Sequence, residues 1–154
     1  MPKHQRVHFL LGKKLCDSLE QNKRGAPVIK KTFVIDTNVF LHDPDALNKF
    51  QGQHLVIPLT VLEELDQKKH GRDELARNAR TTIRSLDTLR LQGKGNWHRG
   101  IEMENGSTIR IALEEKGGAA PLLPSSSANK IILSALRLQE SGEHVVFISK
   151  DLGA

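Results

Sequence analysis

Three acids in this chain fall where a parallel sheet would present them together. Asp36 directly follows the run TFVI, Asp151 follows VVFISK, and Glu64 lies about one and a half turns into a helical pattern that begins after HLVIP. In an open parallel sheet, ligands bind outside the carboxyl ends of the strands, so the three carboxylates are expected to converge on one edge. Crowded like charges repel and raise one another's pKa unless a cation neutralises them, so such a cluster points to Mg²⁺ or Mn²⁺ held by oxygen ligands. A metal of this kind lowers the pKa of a bound water and steadies a phosphoryl group.

Each acid also has a plainer reading. An Asp after a strand is often a turn former or a helix cap, which applies equally to Asp36 and Asp151. Glu64 sits among Glu63, Asp66, Lys68 and Lys69, where a solvated helix surface accounts for it. The combination favours a site, because two separate strand ends deliver Asp and the helix between them delivers Glu. Asp43 and Asp45, flanking Pro44, read as helix-start residues instead.

The elements that must position these acids are legible as alternating patterns. Residues 32–35, 54–57 and 145–148 are short apolar runs with strand character, and residues 108–112 form a further small strand. A long helical pattern covers residues 59–91 with a break expected near Gly71, and residues 125–140 read as a helix with serines at its start. Strands alternating with helices predict a parallel sheet covered on both faces. Ahead of this body, Val7, Leu10, Leu11 and Leu15 suggest a short amphipathic helix, and GGAAPLLPSSS at 117–127 reads as a loop.

Length and charge narrow the class. With 154 residues, 38% of them hydrophobic, the chain suits one domain with its own core. Its +5 charge is unevenly spread: residues 1–31 carry net +6, residues 32–67 net −5 and residues 68–99 net +6. The expected organisation is therefore a basic extension over 1–30, able to meet polyanions, and a domain over 31–154. Leu75, Ala79, Ile83, Leu86 and Leu89 form a core stripe, with Arg77, Arg80 and Arg84 on the other side. That arginine cluster is either a solvated face or a phosphate track beside an acidic metal pocket. No apolar run approaches the length of a transmembrane helix or a secretory signal, and a single Cys16 forms no internal disulfide. A soluble cytoplasmic protein is expected. Trp97 as the only Trp, without any Tyr, gives base stacking little support.

Three segments, KTFVIDTNVFLHDPDAL, VIPLTVLEELDQKKHGRDELARNAR and ILSALRLQESGEHVVFISKD, together resemble the PIN domain found at the front of PhoH-type ATPases. The resemblance covers about residues 30–151 and keeps the order of the motifs. It implies a three-layer α/β/α sandwich with a central, mostly parallel sheet. It further implies a Mg²⁺- or Mn²⁺-dependent endoribonuclease that cleaves single-stranded RNA by metal-activated water. Asp36, Glu64 and Asp151 match the metal-binding, catalytic acids, while Thr37, Asn38 and Ser149 match supporting positions. Implied partners are the RNA and an ATPase domain in the same polypeptide, while the sequence leaves association into a homo-oligomer open.

One position departs from the family pattern. Where the family usually reads Asp-Asn-Arg-Ile-Leu, this chain reads Ala128-Asn129-Lys130-Ile131-Ile132, so a carboxylate is missing. Ser127 or Asn129 supplies at most a neutral oxygen there. The alternative to a nuclease is accordingly an inactive PIN fold that binds RNA or protein. A haloacid-type phosphatase ranks behind both, since Asp36-Thr37-Asn38 lacks the second Asp of Asp-x-Asp. No phosphate-binding G-x-x-x-x-G-K-[ST] motif is present, so this chain alone is not expected to hydrolyse ATP.

Overall fold

The computed structural model describes residues 8–10, 31–93, 96–113 and 126–150. In chain order the described elements are β1 (His8–Leu10), β2 (Thr32–Ile35), α1 (Thr37–His42), a 3-10 turn (Ala46–Lys49), β3 (His54–Pro58), α2 (Leu59–Lys68), α3 (Glu74–Gln92), β4 (Ile101–Glu102), β5 (Thr108–Ala112), α4 (Ser127–Glu140) and β6 (Val145–Ile148). They build one six-stranded sheet in the order β1-β6-β2-β3-β5-β4. All neighbouring pairs are parallel except β4 with β5.

Every residue of β2 and of β6 is buried, which requires cover on both faces of the sheet. The chain winds outward from β2 through β3 to β5 and then returns across the sheet to β6. With right-handed crossovers, the outgoing helices α1 to α3 and the returning helix α4 take opposite faces. The result is the expected α/β/α sandwich. Its core joins strand residues such as Val34, Leu55 and Ile109 to Phe40, Val61, Leu65, Ala79 and Ile131 of the helices, and the Phe33 and Phe50 rings meet at 5.1 Å.

The break in the 59–91 helical pattern is confirmed, and its cause is visible. α2 ends at Lys68 and α3 starts afresh at Glu74, with the Asp73 side chain accepting from Ala76 N–H as an N-cap (2.9 Å). Gly71 lies in the gap, where a Cβ would come within 3.1 Å of the Ala76 Cβ, so the connecting loop can lie close against the first turn of α3. Of the stripe on α3, Ala79 and Leu86 are buried and Leu75, Ile83 and Leu89 are partly so.

Two local expectations are corrected. His8–Leu10 is a strand paired in parallel with β6, so Leu10 does not join the suggested amphipathic helix, whose Val7, Leu11 and Leu15 lie outside the described residues. An open edge of β6 offers these residues backbone partners, and tertiary pairing outweighs a weak helical pattern. Residues 1–7 and 11–30 lie outside the described residues, as does most of the 117–127 loop. The edge strand β4 was not anticipated: it is two residues long and turns into β5 through Gly106, whose φ of +80° suits glycine. Asp45 does precede a helical turn, but without a side-chain cap, and Asp43 closes α1 instead of starting a helix.

Candidate active site

The crevice between β2 and β6 is where the winding of the sheet reverses, and the two strands end there side by side. Asp36 leaves β2 and Ser149 leaves β6. The Asp36 N–H donates to the Ile148 carbonyl (2.9 Å), which continues the strand pairing to the edge. Asp36 then caps α1: its Oδ1 accepts from Thr37 N–H (2.8 Å), and its Oδ2 accepts from the Ser149 hydroxyl (2.7 Å). The cap reading and the site reading of Asp36 therefore both hold, because the hydrogen bonds that start the helix also aim the carboxylate.

Thr37 ties the second acid to the first. It is 3% exposed, and its hydroxyl donates to Glu64 Oε2 while its N–H serves Asp36. Glu64 is half-buried on α2, with Val61 and Leu65 of the same helix fully buried in the core and anchoring its position. On the outward side of α2 the situation differs: Lys69 hydrogen-bonds Asp66 and holds its carboxyl below the usual carboxylate range, chiefly through that bond and then through its charge. Glu64 makes no ion pair among the described residues.

Asp36, Thr37, Asn38 and Glu64 line one cleft of about 620 Å³, with Gln67, Lys68, Gly71, Asp73, Leu75 and Ala76 on one side and Ala128 and Ile131 of α4 on the other. Ala128 stands in the first turn of α4 and lines the same cleft as the two acids. Ser127 and Asn129 are not in the lining. From sequence, Lys68 belongs to a solvated helix surface and Asp73 is not singled out, yet both line the cleft. Lys68 was legible as the residue one helical turn after Glu64, and Asp73 as an acid directly ahead of an apolar-periodic segment.

Asp151, two residues beyond Ser149, lies outside the described residues. The three arginines do not behave as one cluster. Arg77 and Arg84 are exposed on α3, whereas Arg80 is half-buried and donates from Nη1 to the carbonyls of Lys69 (2.6 Å) and Gly71 (2.9 Å). Arg80 satisfies carbonyls left open where α2 ends.

Hard divalent cations take oxygen ligands, and the groups brought together here are two carboxylates and a hydroxyl. The chemistry of that donor set suits Mg²⁺ or Mn²⁺, and Glu64 offers a charge with no counterion among the described residues. Among those residues, no three His, Cys, Asp or Glu side chains stand together as a metal site.

The chain is thus an α/β sandwich, mostly parallel, with two acids brought together at its switch point. Residues 33–154 match the PIN domain, and the chain belongs to that family. PIN domains are generally dependent on divalent metal. The chain is similar to the proteins named PhoH2 from Bacillus subtilis strain 168 (36% identity, covering 80% of this chain and 30% of the relative), Thermobispora bispora (36%, 82% and 29%) and Mycolicibacterium smegmatis (33%, 79% and 28%). It thus spans less than a third of the length of these curated relatives. Among the described residues, no helix is long and apolar enough to cross a membrane.

Proposed function

We propose that this domain is a Mg²⁺- or Mn²⁺-dependent endoribonuclease acting on single-stranded RNA, with Asp36, Glu64 and Asp151 as its metal-binding acids. The observation that carries the reading is the Thr37 bridge, which holds Asp36 and Glu64 in one cleft at the sheet's switch point. When bound, a divalent cation supplies a water of lowered pKa and neutralises charge building on the phosphoryl oxygens. The chain's own residues do the rest. Ser149 and Thr37 fix the two oxygens of Asp36, Thr37 fixes Glu64, and Lys68 adds a positive charge to the cleft wall that attracts a phosphate. Arg77 and Arg84, on the helix whose first turn lines the cleft, extend a phosphate track away from it. Hydrolysis adds water across one P–O bond and leaves a phosphate end and a hydroxyl end.

Ala128 favours a second reading, an inactive PIN fold that binds RNA or protein within a longer PhoH-type polypeptide carrying an ATPase domain. A cleavage assay on single-stranded RNA with Mn²⁺ separates the two. The nuclease reading expects cutting by the wild-type chain that Asp36→Asn abolishes. Absence of cutting together with absence of Mn²⁺ binding by calorimetry overturns it.

A further inference from the structure

At the opposite edge of the sheet, roughly four residues or about 13 Å from the acids, the amino ends of β2, β3 and β5 open onto a second cleft of about 750 Å³. The sheet is polar there although it is apolar elsewhere. Register sets Thr32 beside His54 and His54 beside Thr108, and Arg110, two residues after Thr108, projects from the same face.

This row is internally bonded. Thr32, 3% exposed, donates its hydroxyl to Glu143 Oε2 (2.7 Å), Arg110 donates from Nη2 to Glu143 Oε1, and His54 Nδ1 lies 2.6 Å from the Thr108 hydroxyl. Glu143 is the single acid among the described residues lining the cleft, and both its oxygens are engaged. Its charge is matched by Arg110. What remains is cationic or donating: Arg99, which makes no ion pair among the described residues, and the rings of His54 and His144. A guanidinium fork and two imidazoles around a neutralised floor complement a tetrahedral oxyanion.

We propose that this cleft binds a phosphate group, held by Arg99, His54 and His144 over a floor fixed by the Thr32–Glu143–Arg110 network. The phosphate is either free inorganic phosphate or a phosphodiester of an RNA strand. The proposal does not depend on the nuclease reading, because the cleft lies at the other end of the strands from Asp36 and needs no metal.

The test is an NMR titration of the histidine rings in metal-free buffer, with inorganic phosphate in one arm, a short single-stranded RNA in a second and chloride at matched ionic strength as control. Saturable shifts of His54 and His144 in either of the first two arms, with His42 unmoved, support the site, and the arm that saturates identifies the source. Arg99→Ala should weaken the response about 10-fold, Arg99→Lys should retain part of it, and Asp36→Asn should leave it intact. Shifts that chloride reproduces, that survive Arg99→Ala unchanged, or that vanish in Asp36→Asn overturn the proposal.

Discussion

Ser149 donates its hydroxyl to Asp36 Oδ2 across 113 positions of sequence, joining the carboxyl ends of β6 and β2 at the point where the sheet reverses direction. The Thr37 N–H holds the other oxygen, so the carboxylate has one orientation toward the cleft. Partners that orient a metal-binding carboxylate typically carry 10- to 100-fold in metal affinity. Ser149→Ala is therefore expected to weaken Mn²⁺ binding about 10-fold by calorimetry, while costing about 1 kcal/mol in urea unfolding. Unchanged Mn²⁺ affinity would detach Ser149 from the site and leave it a strand-end contact.

Thr37 makes a sharper case, since its side chain and backbone serve different acids. Thr37→Val keeps the N–H on Asp36 and nearly the same volume, but removes the hydroxyl from Glu64. The expected result is a loss of about 1 to 2 kcal/mol of stability and weaker Mn²⁺ binding, with Thr37→Ser restoring most of the affinity. Equal Mn²⁺ affinity in the Val and Ser variants would show that the bridge plays no part in placing Glu64.

What the sequence made legible follows from what each signal depends on. Runs such as TFVI and VVFI must be buried on both faces to be stable, so composition alone locates β2 and β6 and with them Asp36 and Ser149. The 3.6-residue period equally located α2 and α3. β4 has only Ile101 and Glu102 and exists because β5 offers an edge, which no local pattern announces. The same holds for His8–Leu10, whose partner β6 is more than a hundred residues away. Arg80 shared a helix face with Arg77 and Arg84 on a helical wheel, yet a wheel does not show that the end of α2 passes beside it.

That difference among the arginines is measurable. Arg80→Ala should lower stability by about 1 to 3 kcal/mol, because it leaves the Lys69 and Gly71 carbonyls without their charged donor. Arg77→Ala and Arg84→Ala should fall within about 0.5 kcal/mol of wild type in the same denaturation experiment. In RNA binding the order reverses. Each of the two exposed arginines should reduce the slope of log affinity against log salt by about 0.7, the single-strand value per phosphate contact. A slope unchanged in the double variant Arg77→Ala/Arg84→Ala removes α3 from the RNA track.

Ala128→Asp tests whether the cleft lacks only one group. The first turn of α4 carries no acid, and a helix N-terminus favours a negative charge by about 0.3 to 1 kcal/mol. Asp36 and Glu64 line the same cleft and oppose it, so the metal-free variant is expected to melt at or below the wild-type temperature. Mn²⁺ should reverse that order. If the third carboxylate tightens binding tenfold, saturating metal adds about 1.4 kcal/mol of stability relative to wild type. For a chain of this size that corresponds to about 3 to 6 °C in Tm. The variant should also cut single-stranded RNA faster than the wild-type chain, and cutting by the variant alone would identify a site disabled at this position. Equal Mn²⁺-induced shifts in the two proteins would show that a carboxylate at residue 128 does not reach the metal, and Ala128 would no longer favour the reading of an inactive fold.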